Sequence, residues 1–123
     1  MTAQDTLVAT DVQLDLGAVF RALADEHRRA VMMELAADRS DPERTCTSFD
    51  LPISKQTRTH HFRTLRDVGL VEEVNYGNRK GISLRRAAVD ARFPGLLDLL
   101  AAEYERDGHE RDGHERDGGV RAD

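Results

Sequence analysis

Lys55, Gln56, Thr59, His60 and Arg63 are spaced so that a helix would carry them largely on one side. Together they offer amide, hydroxyl, imidazole, ammonium and guanidinium groups. That inventory suits recognition rather than bond cleavage. An amide such as Gln56 donates and accepts together at an adenine edge, and guanidinium groups such as Arg58 and Arg63 hold phosphate oxygens. His60 fits a base edge or a phosphate. His61 lies nearer the apolar stripe Phe62, Leu65 and Val68, so it reads either as a base contact or as a partly buried, satisfied imidazole. A helix that hides one face and presents these groups on the other suits a DNA major groove.

Local signals define the element that must carry them. Pro52 biases Leu51 away from helical geometry, and Ser54 is a natural N-cap for the helix that follows. Gly69 ends that helix as a C′ residue, with Leu70 placed to pack back on its last turn. Two strands follow at about 71–75 and 81–85, joined by Tyr76-Gly-Asn-Arg-Lys80, where Gly77 and Asn78 both tolerate positive φ. Asn78, Arg79 and Lys80 form the basic tip of this hairpin.

Upstream, a helix over 14–24 carries Leu16, Phe20, Leu23 and Ala24 on one face. Asp25 caps a second helix reaching 37, with Val31, Met32 and Leu35 inward; Asp25-Glu26-His27 reads as that cap and Met32-Met33 as core filling. A short third helix or turn at 45–50 is anchored by Phe49. A last helix opens near Phe93-Pro94, proline suiting its first turn. Its stripe of Phe93, Leu96, Leu97, Leu100, Ala101 and Tyr104 is too apolar for water. It packs on its own domain, or with Leu16 and Phe20 it covers a symmetric dimer interface, which is the expectation adopted here.

The net charge of −5 taken alone opposes a nucleic-acid partner, but its distribution reverses that. Residues 53–86 hold eight bases against three acids, while the acids concentrate in 1–16 and 103–123. Beyond about 10 Å salt screens the remote charge, so the local field decides. The single cysteine, Cys46, excludes an intrachain disulfide and fits a reducing compartment. No signal-like or membrane-spanning apolar run is present, so the expectation is a cytoplasmic protein without a membrane partner. No phosphate loop, His-Glu-x-x-His spacing or serine elbow supports an enzyme.

In this order the elements resemble those of ArsR/SmtB-type winged helix-turn-helix repressors. The resemblance spans roughly 15–104 and rests on Leu23-Ala-Asp-Glu-His-Arg-Arg29, Phe49-Asp-Leu-Pro-Ile-Ser-Lys55, Thr59-His-His-Phe-Arg-Thr-Leu-Arg-Asp-Val-Gly-Leu-Val71 and Gly81-Ile-Ser-Leu84. It implies a mainly α fold with a β-hairpin wing, dimerising through N- and C-terminal helices, and a homodimeric repressor bound to an inverted-repeat operator in double-stranded DNA. It maps DNA reading onto Ser54, Gln56, Thr57, Thr59, His60 and His61, with the wing at 78–80. Two positions depart from the pattern. Arg58 stands where such helices usually carry an apolar residue, and its stem can run along the stripe to send its charge to a phosphate. Asp50-Leu-Pro52 replaces the usual glycine turn.

Metal sensing, the activity best known for the family, finds little support here. Cys46 is followed by Thr47 and Ser48, and one thiolate is not a soft-metal site. The expectation is therefore no metal, no cofactor and an undefined inducer, with Cys46 a packing residue. Two alternatives remain: a winged-helix module for protein partners, and a metal- or redox-responsive repressor using Cys46 or the tail histidines His109 and His114. The domain plan is a flexible arm at 1–13, the winged domain at 14–106 and a tail at 107–123. Its Glu-Arg-Asp-Gly repeat, with glycine every fifth residue, predicts disorder.

Overall fold

The computed structural model describes residues 13–117, with side chains from 13 to 108. The chain begins with α1 (Leu16–Ala24) and α2 (Glu26–Ala37), separated by Asp25 alone. The Asp15 carboxylate caps α1 by accepting from the Ala18 amide at 3.0 Å, so the helix starts two residues later than expected. The Asp25 carboxylate accepts from the amides of His27 and Arg28, as a capping aspartate should. The inward face of α1 is Val19, Ala22 and Leu23; Leu16 and Phe20 point outward.

After α2 the chain forms β1 (Arg44–Thr45) and a 3-10 turn over Cys46–Ser48, then α3 (Lys55–Asp67), β2 (Val71–Asn75) and β3 (Lys80–Leu84). The short helix or turn expected at 45–50 is a 3-10 turn preceded by a two-residue strand, with Phe49 buried as its anchor. β1 pairs antiparallel with β3, which pairs antiparallel with β2, giving the order β1-β3-β2. The wing is therefore a three-stranded sheet. At its turn only Gly77 takes a positive φ, and Asn78 does not.

Two helices complete the fold: α4 (Arg86–Arg92), which the sequence reading did not anticipate, and α5 (Leu96–Asp117). Arg86 explains the position of α4. Its guanidinium grips Asp41 through Nε at 2.8 Å and donates to the carbonyl of Ala36 at the end of α2. Pro94 lies outside α5. Phe93, Pro94 and Gly95 form a turn closed by the Leu96 amide on the Phe93 carbonyl at 3.1 Å, with Gly95 at φ 94°. Proline followed by a residue of positive φ is the signature of a type II turn.

The core joins Val19, Met32, Leu35, Phe62, Leu65, Leu70, Ile82 and Val89 with Leu97, Leu100 and Ala101. This corrects the expected dimer stripe. Leu97 is 0% exposed and Leu100 is buried within the chain's own core, while Phe93 and Leu96 are half-buried against it. A helix lying along α2 must turn its most continuous apolar face toward α2, because that is where intramolecular burial is greatest.

Over 107–117, part of the tail expected to be disordered, the chain continues α5. The packed first turns of α5 nucleate the helix, and each added residue then extends it at little cost. Residues 1–12 of the arm expected over 1–13, the tail end at 118–123 and the side chains of His109 and His114 lie outside the described residues. Among the described residues no helix is long and apolar enough to cross a membrane.

Candidate nucleic-acid interface

Both ends of α3 are fixed by local chemistry. Ser54 Oγ accepts from the Thr57 amide at 3.1 Å and donates to Thr57 Oγ1 at 3.0 Å. At the other end the Gly69 amide donates to the Arg66 carbonyl and the Leu70 amide to the Leu65 carbonyl, with Gly69 at φ 89°. That paired bonding is a Schellman motif, and it turns the chain directly into β2. Phe62 and Leu65 lock the inner face, so the outer face is held rigidly.

On that outer face Ser54, Lys55, Gln56, Thr59, His60 and Arg63 line one open groove of about 760 Å³. Six of the expected reading residues therefore converge, and Thr57 is exposed beside them in the first turn. His61 does not join them. It is 7% exposed and points inward, because adjacent residues on a helix diverge by about 100°. Arg28 Nη1 lies 3.0 Å from its Nδ1, and Asp25 Oδ1 lies 3.7 Å from its Nε2. A guanidinium only donates, so Nδ1 accepts and the ring proton sits on Nε2, facing Asp25. Burial pushes the imidazole below its usual pKa against the pull of Asp25. Burial also raises the Asp25 carboxyl, but the amides of Arg28 and His27 and the nearby positive charges outweigh it and hold it below the ordinary value.

The rings of His27 and His60 lie 6.0 and 5.8 Å from that of His61. Among the described residues, however, no group of three or more His, Cys, Asp or Glu side chains is arranged to hold a metal ion.

The wing presents Asn78, Arg79 and Lys80 at an exposed tip. Its geometry involves two residues that sequence reasoning did not single out. The Tyr76 hydroxyl donates to both carboxylate oxygens of Glu43, at 2.8 and 2.9 Å, and the Arg79 guanidinium stacks over the Tyr76 ring at 4.2 Å. Tyr76 beside Asn78-Arg79-Lys80 hinted at such a platform; nothing in the sequence pointed to Glu43. Glu73 on β2 pairs with Arg66 at 3.4 Å and with Lys80 at 3.5 Å, so one carboxylate ties α3 to the wing. Between them lies a cleft of about 380 Å³ whose walls include Lys55, Arg58, Arg63, Arg79 and Lys80. Arg58 is half-buried there. Cys46 lines the same cleft, its thiol pushed above its usual pKa by burial and then by Glu73.

No family model matches the chain. A solved structure, an ArsR-like transcriptional regulator from Rhodococcus sp. RHA1, is similar over 80% of this chain and 84% of that one, at 29% identity and a TM-score of 0.47. An uncharacterised helix-turn-helix-type transcriptional regulator of Bacillus subtilis, YceK, is 34% identical over 84 residues, covering 67% of this chain and 82% of the relative. With a capped, outward-facing helix and its wing in place, and with that share of a regulator's length matched, the chain belongs to the helix-turn-helix-type transcriptional regulators, as its ArsR/SmtB-like motifs imply.

Proposed function

We propose that the protein is a repressor that binds an inverted-repeat operator in double-stranded DNA as a homodimer, with α3 in the major groove and the wing on the flanking backbone. The observation that carries this reading is the groove shared by Ser54, Lys55, Gln56, Thr59, His60 and Arg63, bordered by the cations of the wing. Hydrogen-bonding groups on a rigid helix supply base readout, and the surrounding cations supply sequence-independent affinity. Two such helices related by a dyad would enter successive major grooves about 34 Å apart. Outward-facing Leu16 and Phe20, with Tyr104, are the members of the expected interface left available for a second copy. Repression follows from occupancy of polymerase's path. No metal or cofactor enters this mechanism.

Selection of bound fragments from genomic DNA, followed by sequencing, tests the reading. The expected result is a single two-fold-symmetric motif. Gln56→Ala should then relax preference at one base pair in each half-site, costing about 1–3 kcal/mol of discrimination. Uniform recovery of all fragments would reject sequence-specific binding, and preference unchanged in Gln56→Ala would reject this reading face.

A further inference from the structure

The cleft between α3 and the wing gathers six cations, with Arg58 and Arg66 among them half-buried. Its volume of about 380 Å³ falls within the size range of small-molecule sites. Six cations line it against one carboxylate, Glu73, which already serves Arg66 and Lys80. Lys55, Arg58 and Arg63 have no hydrogen-bonding or ionic partner among the described residues. Gathering like charges around one cavity is unfavourable until an anion enters it.

The cleft also has depth. Lys55, Arg63, Arg79 and Lys80 are exposed at its rim, whereas Arg58, Arg66, Thr45 and Cys46 are half-buried below and Phe62 closes the floor. A duplex backbone laid across α3 and the wing would meet the exposed set first. The second set is accessible to a compact ligand.

We propose that this cleft binds a small multivalent phosphate compound, and that its occupant displaces DNA by taking the cations the backbone would use. Guanidinium forks pair with phosphate oxygens in bidentate fashion, and the Thr59 hydroxyl, with one of the mutually bonded Thr45 and Thr47 pair, donates to oxygens left over. The Cys46 thiol stays neutral, so it adds no charge that would repel the anion. The displacement half of the proposal rests on the DNA-binding reading; the binding half does not.

Calorimetry on the full chain without DNA tests the binding half, with inorganic pyrophosphate as probe at fixed ionic strength. One saturable site per chain is expected. Arg58→Leu should weaken it at least about tenfold by removing a bidentate partner. Cys46→Trp should abolish it by filling the cleft without changing charge, and Gln56→Ala, outside the cleft, should leave it intact. Circular dichroism verifies that each variant is folded. Heat no larger than that of matched chloride, or equal affinity in wild type, Arg58→Leu and Cys46→Trp, overturns the site.

Competition against the selected operator tests the second half. Pyrophosphate should release DNA over its own binding range, where chloride of equal ionic strength does not. DNA binding without a pyrophosphate site overturns this inference alone. A pyrophosphate site without any DNA complex supports the pocket and overturns the proposed function instead.

Discussion

His60 and His61 are adjacent in sequence and opposite in burial, His60 exposed and His61 turned inward. Buried between Arg28 and Asp25, His61 is held as the neutral Nε2–H tautomer. Its folded pKa lies below that of the unfolded imidazole. As pH falls through about 6.5 the unfolded chain therefore takes up a proton that the folded chain resists, and stability drops with it. Asp25 acts with the same sign at lower pH, since its depressed carboxyl favours the fold only while ionised. Thermal unfolding from pH 8 to 5 should show a decline below about 6.5 that is shallower in His61→Gln, which keeps a donor and an acceptor without titrating. Equal slopes in the two proteins would remove His61 from this role. The sequence could not decide His61 because position 61 sits at the border of the apolar stripe. Arg28, the side chain that settles it, lies 33 residues away in the chain.

Among the elements, α3 was the most legible, because each of its determinants is local: Ser54 at one end, Gly69 at the other and Phe62 and Leu65 inside. The elements that escaped notice have no local determinant. β1 is two residues long and exists only through pairing of Arg44 and Thr45 with Ile82 and Gly81 on β3. α4 is set by Arg86 reaching back to Asp41 and the end of α2. The wing divides in the same way: its basic tip was readable, while the Tyr76–Glu43 bond that steadies it crosses 33 residues. These two parts of the wing should separate in a salt titration of DNA affinity. On the proposed reading Arg79→Ala removes a phosphate contact, so the slope of log K against log salt should fall by about one unit. Tyr76→Phe keeps every charge but frees the hairpin, so affinity should drop a few-fold at unchanged slope, the lost bond being exposed to water. Anisotropy at four or five salt concentrations reads both. A Tyr76→Phe slope as shallow as that of Arg79→Ala would show that the brace acts on charge rather than on position.

For the whole molecule, the apolar residues of α1 and α5 have two destinations that the sequence does not separate. Periodicity places Leu97 and Leu100 on an apolar face, but both a core and a dimer interface satisfy that pattern. The fold assigns them inward, with Leu97 fully buried, and leaves Phe20 57% and Leu99 59% exposed. Large apolar side chains turned to water on two helices are the remaining basis for a homodimer, and Leu99 was not in the stripe expected to supply it. The two sets should therefore fail differently. Leu97→Ala opens a cavity in the protomer core and should lower unfolding free energy by about 2–5 kcal/mol, whatever the protein concentration. Phe20→Glu buries nothing less within its own chain, yet it would place two carboxylates in a two-fold contact. It should convert a dimer to a monomer in sedimentation and weaken operator binding in proportion, because one half-site then loses the cooperation of the other. If Phe20→Glu sediments as wild type does, α1 is not at the dyad, and the spacing of the two α3 helices must be set by another surface.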